Sequence, residues 1–143
     1  MVTTEDIKKL REVSGVSIAL CKSALEESGG DIQAALVILA ERGALAASKK
    51  SERTLGAGTV ATYIHGNASL GAMVMLLSET DFVAKNVEFK SLARDIALHV
   101  SATASADVAT LLEEDFIKDP SRKIKHLVEA AVQKFGERIE IAS

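Results

Sequence analysis

Thr59-Val60-Ala61-Thr62-Tyr63-Ile64-His65, then Gly66-Asn67-Ala68-Ser69, then Leu70-Gly71-Ala72-Met73-Val74-Met75-Leu76-Leu77 is the stretch on which the fold turns. The first run is rich in β-branched residues with one tyrosine and reads as a strand. The next four residues are turn formers, and the aliphatic run after them reads as a second strand. Together they predict an antiparallel hairpin. Before residue 54 and after residue 86 the apolar residues recur with a helical period instead. The expectation is therefore α+β: a helical N-terminal module followed by a small antiparallel sheet covered by helices.

Upstream, three short helices are expected within about 45 residues. Thr3 or Thr4 can cap the first, with Glu5 and Asp6 in its opening turn and Ile7, Leu10 and Val13 on its apolar stripe. Ser17 suits an N-cap for the second, with Val16 stapling onto Cys21, and with Ile18, Cys21, Ala24 and Leu25 on one face. Gly29-Gly30 ends it and Asp31 caps a third, whose stripe is Ile32, Ala35, Leu36 and Leu39. Gly43 stands where a helix-terminating glycine belongs. Ala44 to Arg53 is basic and polar at its end and reads as a linker or an exposed helix, and Gly56-Ala57-Gly58 as a flexible hinge. The boundary between two modules falls at residues 53 and 54.

Downstream, a helix is expected from about Val87 to Ala102, with Phe89, Leu92, Ala93, Ile96 and Val100 facing inward. Asp107 caps a short helix through Leu112. Pro120-Ser121 opens a further helix that Gly136 stops. Ile139 and Ile141 alternate with polar residues, as in an edge strand.

Composition removes several function classes. The chain has 143 residues with a formal net charge of −3, which argues against direct nucleic-acid binding. The single cysteine, Cys21, forms no intrachain disulfide, and no Cys cluster or histidine spacing suits a metal. The acidic, polar start (Met1-Val2-Thr3-Thr4-Glu5-Asp6) has no apolar leader, and no run is long enough to span a membrane, so a cytoplasmic location is expected. There is no phosphate-binding loop and no paired acid and base, so no enzyme chemistry and no cofactor are expected. Cys21 and His99 sit on or beside apolar faces and read as structural.

Thr80-Asp81-Phe82-Val83-Ala84-Lys85-Asn86 is unusual: an acid and an aromatic stand side by side between a strand and a helix, in a chain with four Phe. From the residues alone, the plainer reading is that Phe82 tucks into the core and Asp81 caps a turn. The alternative is a functional loop on a rigid scaffold.

That segment resembles the TDFVA(K/R)N signature of elongation factor Ts. Leu10-Arg11-Glu12-Val13-Ser14-Gly15-Val16, Cys21-Lys22-Ser23-Ala24-Leu25 and Gly30-Asp31 are similar to that family's LRExTGA, CKKAL and GD. Gly43 through Lys50, Phe89 through His99, and Phe135-Gly136-Glu137-Arg138-Ile139 resemble further stretches of it, the last being similar to IGENI. The resemblances are collinear over nearly the whole chain. Departures are Leu20 in place of an aspartate and the absence of the family's long core insertion; family members usually carry a basic, aromatic strand after IGENI, where this sequence has Glu140-Ile141-Ala142-Ser143. A single core copy is present.

The resemblance implies a ubiquitin-associated-like three-helix bundle (1–53) and an elongation factor Ts core (54–143). It implies a translation elongation factor that binds elongation factor Tu, GDP-bound and nucleotide-free, and promotes GDP release by dislodging Mg²⁺. Thr80, Asp81, Phe82 and Val83 would form the dislodging loop, with Arg11, Ile18 and His65 as secondary contacts. For Ile18 plain core packing, and for His65 a plain turn role, remain open at this point. Single-core members can form a homodimer. No direct nucleic-acid or membrane partner is implied. The competing expectation is a non-catalytic module binding peptide or ubiquitin through residues 1–53.

Overall fold

The computed structural model describes residues 1–143. The first three helices are α1 (Thr4–Ser14), α2 (Ile18–Glu27) and α3 (Ile32–Lys49). Each begins where a side chain satisfies otherwise unpaired amides. Thr3 and Asp6 form a reciprocal capping box, Ser17 accepts from the Leu20 amide, and Asp31 accepts from the amides of Gln33 and Ala34. Gly15 ends α1 with φ 71°, a left-handed conformation in which a Cβ would be strained. Leu10, Val16, Cys21, Ala24, Leu25, Ala35 and Leu39 form one buried apolar cluster among the three helices.

α3 does not stop at Gly43. It continues six residues further, through the strong helix formers Ala44, Leu45, Ala46 and Ala47. Gly43 is buried and serves a close approach to a later helix. A Cβ there would lie 3.2 Å from Gln133 Oε1 and 3.4 Å from the Glu129 carbonyl oxygen. The chain then turns through Ser51 to Arg53 and enters a strand.

The hairpin forms as the sequence predicts: β1 (Ala57–Ile64) pairs antiparallel with β2 (Gly71–Ser78), with Ala61 opposite Val74 and Thr59 opposite Leu76. Ala57 and Gly58 belong to β1, so the expected hinge is strand. A Cβ on Gly58 would meet the Leu76 carbonyl oxygen at 2.9 Å. β2 pairs on its other side with Glu140 and Ile141, near the end of the chain, so it is the central strand.

After β2 come a single turn, α4 (Asp81–Ala84), and the long α5 (Val87–Thr103). Asn86 caps α5 through the amides of Glu88 and Phe89. α6 (Val108–Glu113), capped by Asp107, precedes a two-stranded ribbon of β3 (Asp115–Phe116) and β4 (Asp119–Lys123). α7 (Ile124–Phe135) follows, and β5 (Glu140–Ile141) closes the three-stranded sheet in the order β1-β2-β5.

The expected helix start at Pro120 is thus corrected: Pro120 lies in an exposed strand, and the helix begins four residues later. Asp119 accepts from both the amide and the hydroxyl of Ser121, at 3.3 and 2.6 Å, which fixes a turn there. The strand is at an edge, where proline's missing donor is tolerated.

α5 lies across β1 and β2 and covers one face of the sheet. Val74, Leu76, Phe89, Ala93, Ile96, Ile124, Val132 and Ile141 are among the buried residues between sheet and helices. Phe89 of α5 meets Phe135 of α7 edge-on, ring centroids 6.1 Å apart. The opposite face of the hairpin carries exposed Val60, Ile64, Met73 and Met75.

Candidate functional site

Thr80 to Val83 forms a closed turn at the end of the central strand. Ser78, fully buried, donates its hydroxyl to the Thr80 carbonyl at 3.0 Å. Thr80 is extended and caps α4, its hydroxyl oxygen accepting from the Val83 amide at 3.4 Å. The turn is closed by backbone bonds from Ala84 to Thr80, Lys85 to Asp81 and Asn86 to Val83. The cap is therefore Thr80, and Asp81 is the exposed first residue of the turn.

A helical turn advances about 100° per residue, so consecutive side chains point to different sides. Val83 and Ala84 point inward and are each 3% exposed. Phe82 points outward and is 84% exposed, which overturns the core reading of this residue. Val87, at the start of α5, is 81% exposed and adds a second large apolar side chain a few residues on, one that sequence reasoning did not single out. An exposed phenylalanine on a turn this thoroughly hydrogen-bonded is held out by the fold rather than left over by it.

The base of the turn is anchored from 57 residues away. Glu137, just after α7, accepts from the amides of Glu79 and Thr80 and from the Thr80 hydroxyl. No spacing rule links these positions. The sequence offered only the family-like Phe135-to-Ile139 stretch as a hint.

The other expected site residues are dispersed. Arg11 is exposed on the last turn of α1. Ile18 opens α2 and is 56% exposed, so it is not core packing, and the expected four-residue apolar face of α2 reduces to Cys21, Ala24 and Leu25. Val13 nearby is also exposed. His65 lies in the turn between β1 and β2, its Nδ1 3.4 Å from the Tyr63 hydroxyl. That turn is at the opposite end of the hairpin from Thr80. Eight-residue strands put the two roughly 25 Å apart. The structure brings Thr80, Asp81, Phe82 and Val83 together and does not bring His65 to them.

His99 is fully buried and satisfied: Nδ1 accepts from the Ile117 amide at 3.1 Å and Nε2 faces Glu114 Oε2 at 2.7 Å. Since Nδ1 accepts, the proton in this pair is assigned to Nε2. Burial pushes the Glu114 carboxyl up, but hydrogen bonds from His99, Ser105 and Thr103 outweigh it and hold it below its ordinary value. Cys21 is buried among α1, α2 and α3, its thiol 3.6 Å from the Ser14 hydroxyl. A cleft of about 400 Å³ between α1 and α3 on one side and β4 and α7 on the other includes none of the expected site residues. No helix is long and apolar enough to cross a membrane.

The profile of the family described as Elongation factor TS matches residues 79–143, from the base of the Phe82 turn to the last strand. Elongation factor Ts of Herpetosiphon aurantiacus is 36% identical over 98% of this chain and 93% of that protein. That alignment is 185 residues long, so the relative carries sequence with no counterpart in these 143 residues. Elongation factor Ts of Acetivibrio thermocellus is 33% identical over 99% of this chain and 86% of that protein. The protein of the same name from Clostridium tetani is 40% identical over 99% of this chain but only 46% of its own length. With a relative 36% identical over nearly the whole of both chains, and the family profile matched over residues 79–143, the chain belongs to the elongation factor Ts family of translation elongation factors.

Proposed function

We propose that this chain is a guanine-nucleotide exchange factor that binds elongation factor Tu carrying GDP, promotes GDP release, and stays bound to the nucleotide-free form until GTP loads. The observation that carries the reading is the outward Phe82, 84% exposed on a turn whose next two residues are buried. In this reading Phe82 is a wedge, and Asp81 competes for groups around the partner's Mg²⁺. Thr80 and Val83 hold the turn, one by its hydrogen bonds and the other by burial.

Physical chemistry explains why a small wedge suffices. Mg²⁺ demands near-ideal octahedral geometry at about 2.1 Å and tolerates little displacement of its ligands. It is often the largest local charge in a phosphate site, so losing it leaves phosphate charge unneutralised. Nucleotide bound at a nanomolar Kd is held by about 12 kcal/mol. An exchange factor loosens it only by binding the loosened state more tightly, and the coupling is reciprocal. It therefore needs a broad surface to bind with and a rigid projection to intrude with.

Arg11, Ile18 and His65 are assigned as secondary contacts. A partner touching both His65 and Phe82 has to follow the length of the hairpin, roughly 25 Å. We also read residues 1–53 and 54–143 as the two modules. The first apolar cluster runs from Leu10 to Leu39 and the second from Val74 to Ile141, which supports that division.

The test is release of a fluorescent GDP analogue from elongation factor Tu. The full chain is expected to accelerate it, and raising Mg²⁺ is expected to blunt the acceleration. No acceleration at saturating chain overturns the reading.

A homodimer is the second part of the reading. It is favoured by the uncovered hairpin face, where Val60 stands opposite Met75 and Met73 is 69% exposed. Two such faces stacked about 10 Å apart would bury them mutually. Light scattering is expected to give twice the chain mass at high concentration, and Met73→Glu to restore the monomer. A monomer at all concentrations rules the dimer out.

A further inference from the structure

Residues 53, 79, 80, 137 and 138 form a closed ring of polar contacts beneath the Phe82 turn. Glu137 Oε1 accepts from the Glu79 amide at 3.1 Å and the Thr80 amide at 3.0 Å, and its Oε2 accepts from the Thr80 hydroxyl at 2.7 Å. Glu79 returns the contact, its Oε2 accepting from the Arg138 amide at 2.9 Å and standing 3.5 Å from the Arg53 guanidinium. Arg138 in turn donates to the Arg53 carbonyl. The strand end that carries Phe82 is thus tied to the end of α7 and to the segment leaving α3.

We propose that Glu137 is the positioning residue for the exchange turn: its carboxylate fixes the direction in which Phe82 leaves the protein. This rests on the exchange reading above. A carboxylate is the acceptor-only group that can take three donors at once in this geometry. Glutamine at 137 retains one oxygen for the two amides, but its NH₂ cannot accept from the Thr80 hydroxyl. Alanine retains nothing. Thr80 is also the cap of α4, so its hydroxyl links Glu137 directly to the turn that aims Phe82. When a projection must meet its target within about half an ångström, loosening its support is felt in the activated state rather than in docking.

The experiment compares the full chain with Glu137→Gln and Glu137→Ala in two readouts. In the free chain, hydrogen exchange of the Glu79 and Thr80 amides should accelerate roughly tenfold or more in Glu137→Ala, and less in Glu137→Gln. In GDP release, Glu137→Ala should lower the saturating rate roughly tenfold while the half-saturating concentration stays within about threefold, with Glu137→Gln intermediate. A merely structural role would instead raise the half-saturating concentration through loss of folded chain, and circular dichroism would report that loss. Amides that stay protected in both variants overturn the proposal, as does a saturating rate that is unchanged when protection is lost. If the wild-type chain itself fails to accelerate release, the exchange reading falls. Amide protection lost in Glu137→Ala would then mark that failure as separate from the anchoring geometry.

Discussion

Replacing Phe82 with alanine separates what the side chain does for this protein from what it does to a partner. The ring is 84% exposed, so little of it is buried in the free chain. Surface changes of this kind fall within about 0.5 kcal/mol of neutral, which for a chain of this size moves the melting temperature by about 2 °C or less. A phenylalanine carries roughly 150–250 Å² of surface, nearly all of it available for burial in a partner. Burying such a side chain contributes about 1.5–3 kcal/mol. If that energy is realised only in the loosened, nucleotide-releasing state, its loss slows saturated release by roughly 10- to 150-fold. If it is realised equally in every bound state, the half-saturating concentration rises by the same factor and the saturating rate stays put. Stopped-flow release of a fluorescent GDP analogue over a titration of Phe82→Ala distinguishes the two outcomes, beside a thermal melt of the free variant. The expected result is an unchanged melt, an unchanged half-saturation and a collapsed rate. A saturating rate within about threefold of wild type would refute the wedge, and a melting temperature lowered by many degrees would refute the claim that the ring does nothing for the fold.

His99→Ala should destabilise the chain by about 2–4 kcal/mol in urea unfolding, since it opens a cavity and leaves the Ile117 amide and Glu114 without their partner. Glu114 has a carboxyl held below its ordinary value when folded, so its stabilisation is complete above that value and is lost as pH falls through the depressed one. Urea midpoints measured from pH 7 to 3 should therefore fall less steeply in Glu114→Gln. Some acid dependence should persist, because the Asp6, Asp107 and Asp119 carboxyls are held down by hydrogen bonds as well. Gly43→Leu should cost about 1–3 kcal/mol by forcing α3 away from the Glu129 carbonyl, visible as a lower melting temperature with helix content retained.

Much of this architecture was legible because local chemistry and global fold agree. Thr3, Ser17, Asp31 and Asp107 are expected cap residues that cap. The period change at Thr59 marks a real hairpin. The departures arise where one residue type serves two physical ends. Glycine both terminates helices and permits close packing, and at Gly43 the neighbour that decides between them is 86 residues away at Glu129. Proline suits a helix start and an edge strand alike, and at Pro120 the side chain of Asp119 tips the balance. Gly58 resembles a hinge in sequence because its strand partner, Leu77, is supplied by the far side of the hairpin.

The same limit applies to the candidate site. The turn's odd composition and family likeness singled out Thr80 to Val83, yet whether Phe82 points in or out depends on which of three successive residues the core accepts. Val83 and Ala84 take that place, and Phe82 is left outside. Glu137 was invisible as an anchor because a hydrogen bond between residues 80 and 137 leaves no periodic trace. Ile18 shares a helical face with Cys21, Ala24 and Leu25, so spacing alone leaves core packing open beside a partner contact; its exposure follows from its place at the start of that helix.

The uninterrupted α3 gives the molecule a fixed phase. Eighteen residues make a rod of about 27 Å that begins inside the first apolar cluster and ends with Ala47 against the second. Whatever surface the α1–α2 corner offers is thereby indexed to the Phe82 turn in both distance and rotation, like two jaws on one bar. A single residue added within the rod would swing one jaw by about 100° while lengthening the bar by only about 1.5 Å. Sequence drift in this helix is therefore constrained in number of residues more tightly than in their identity.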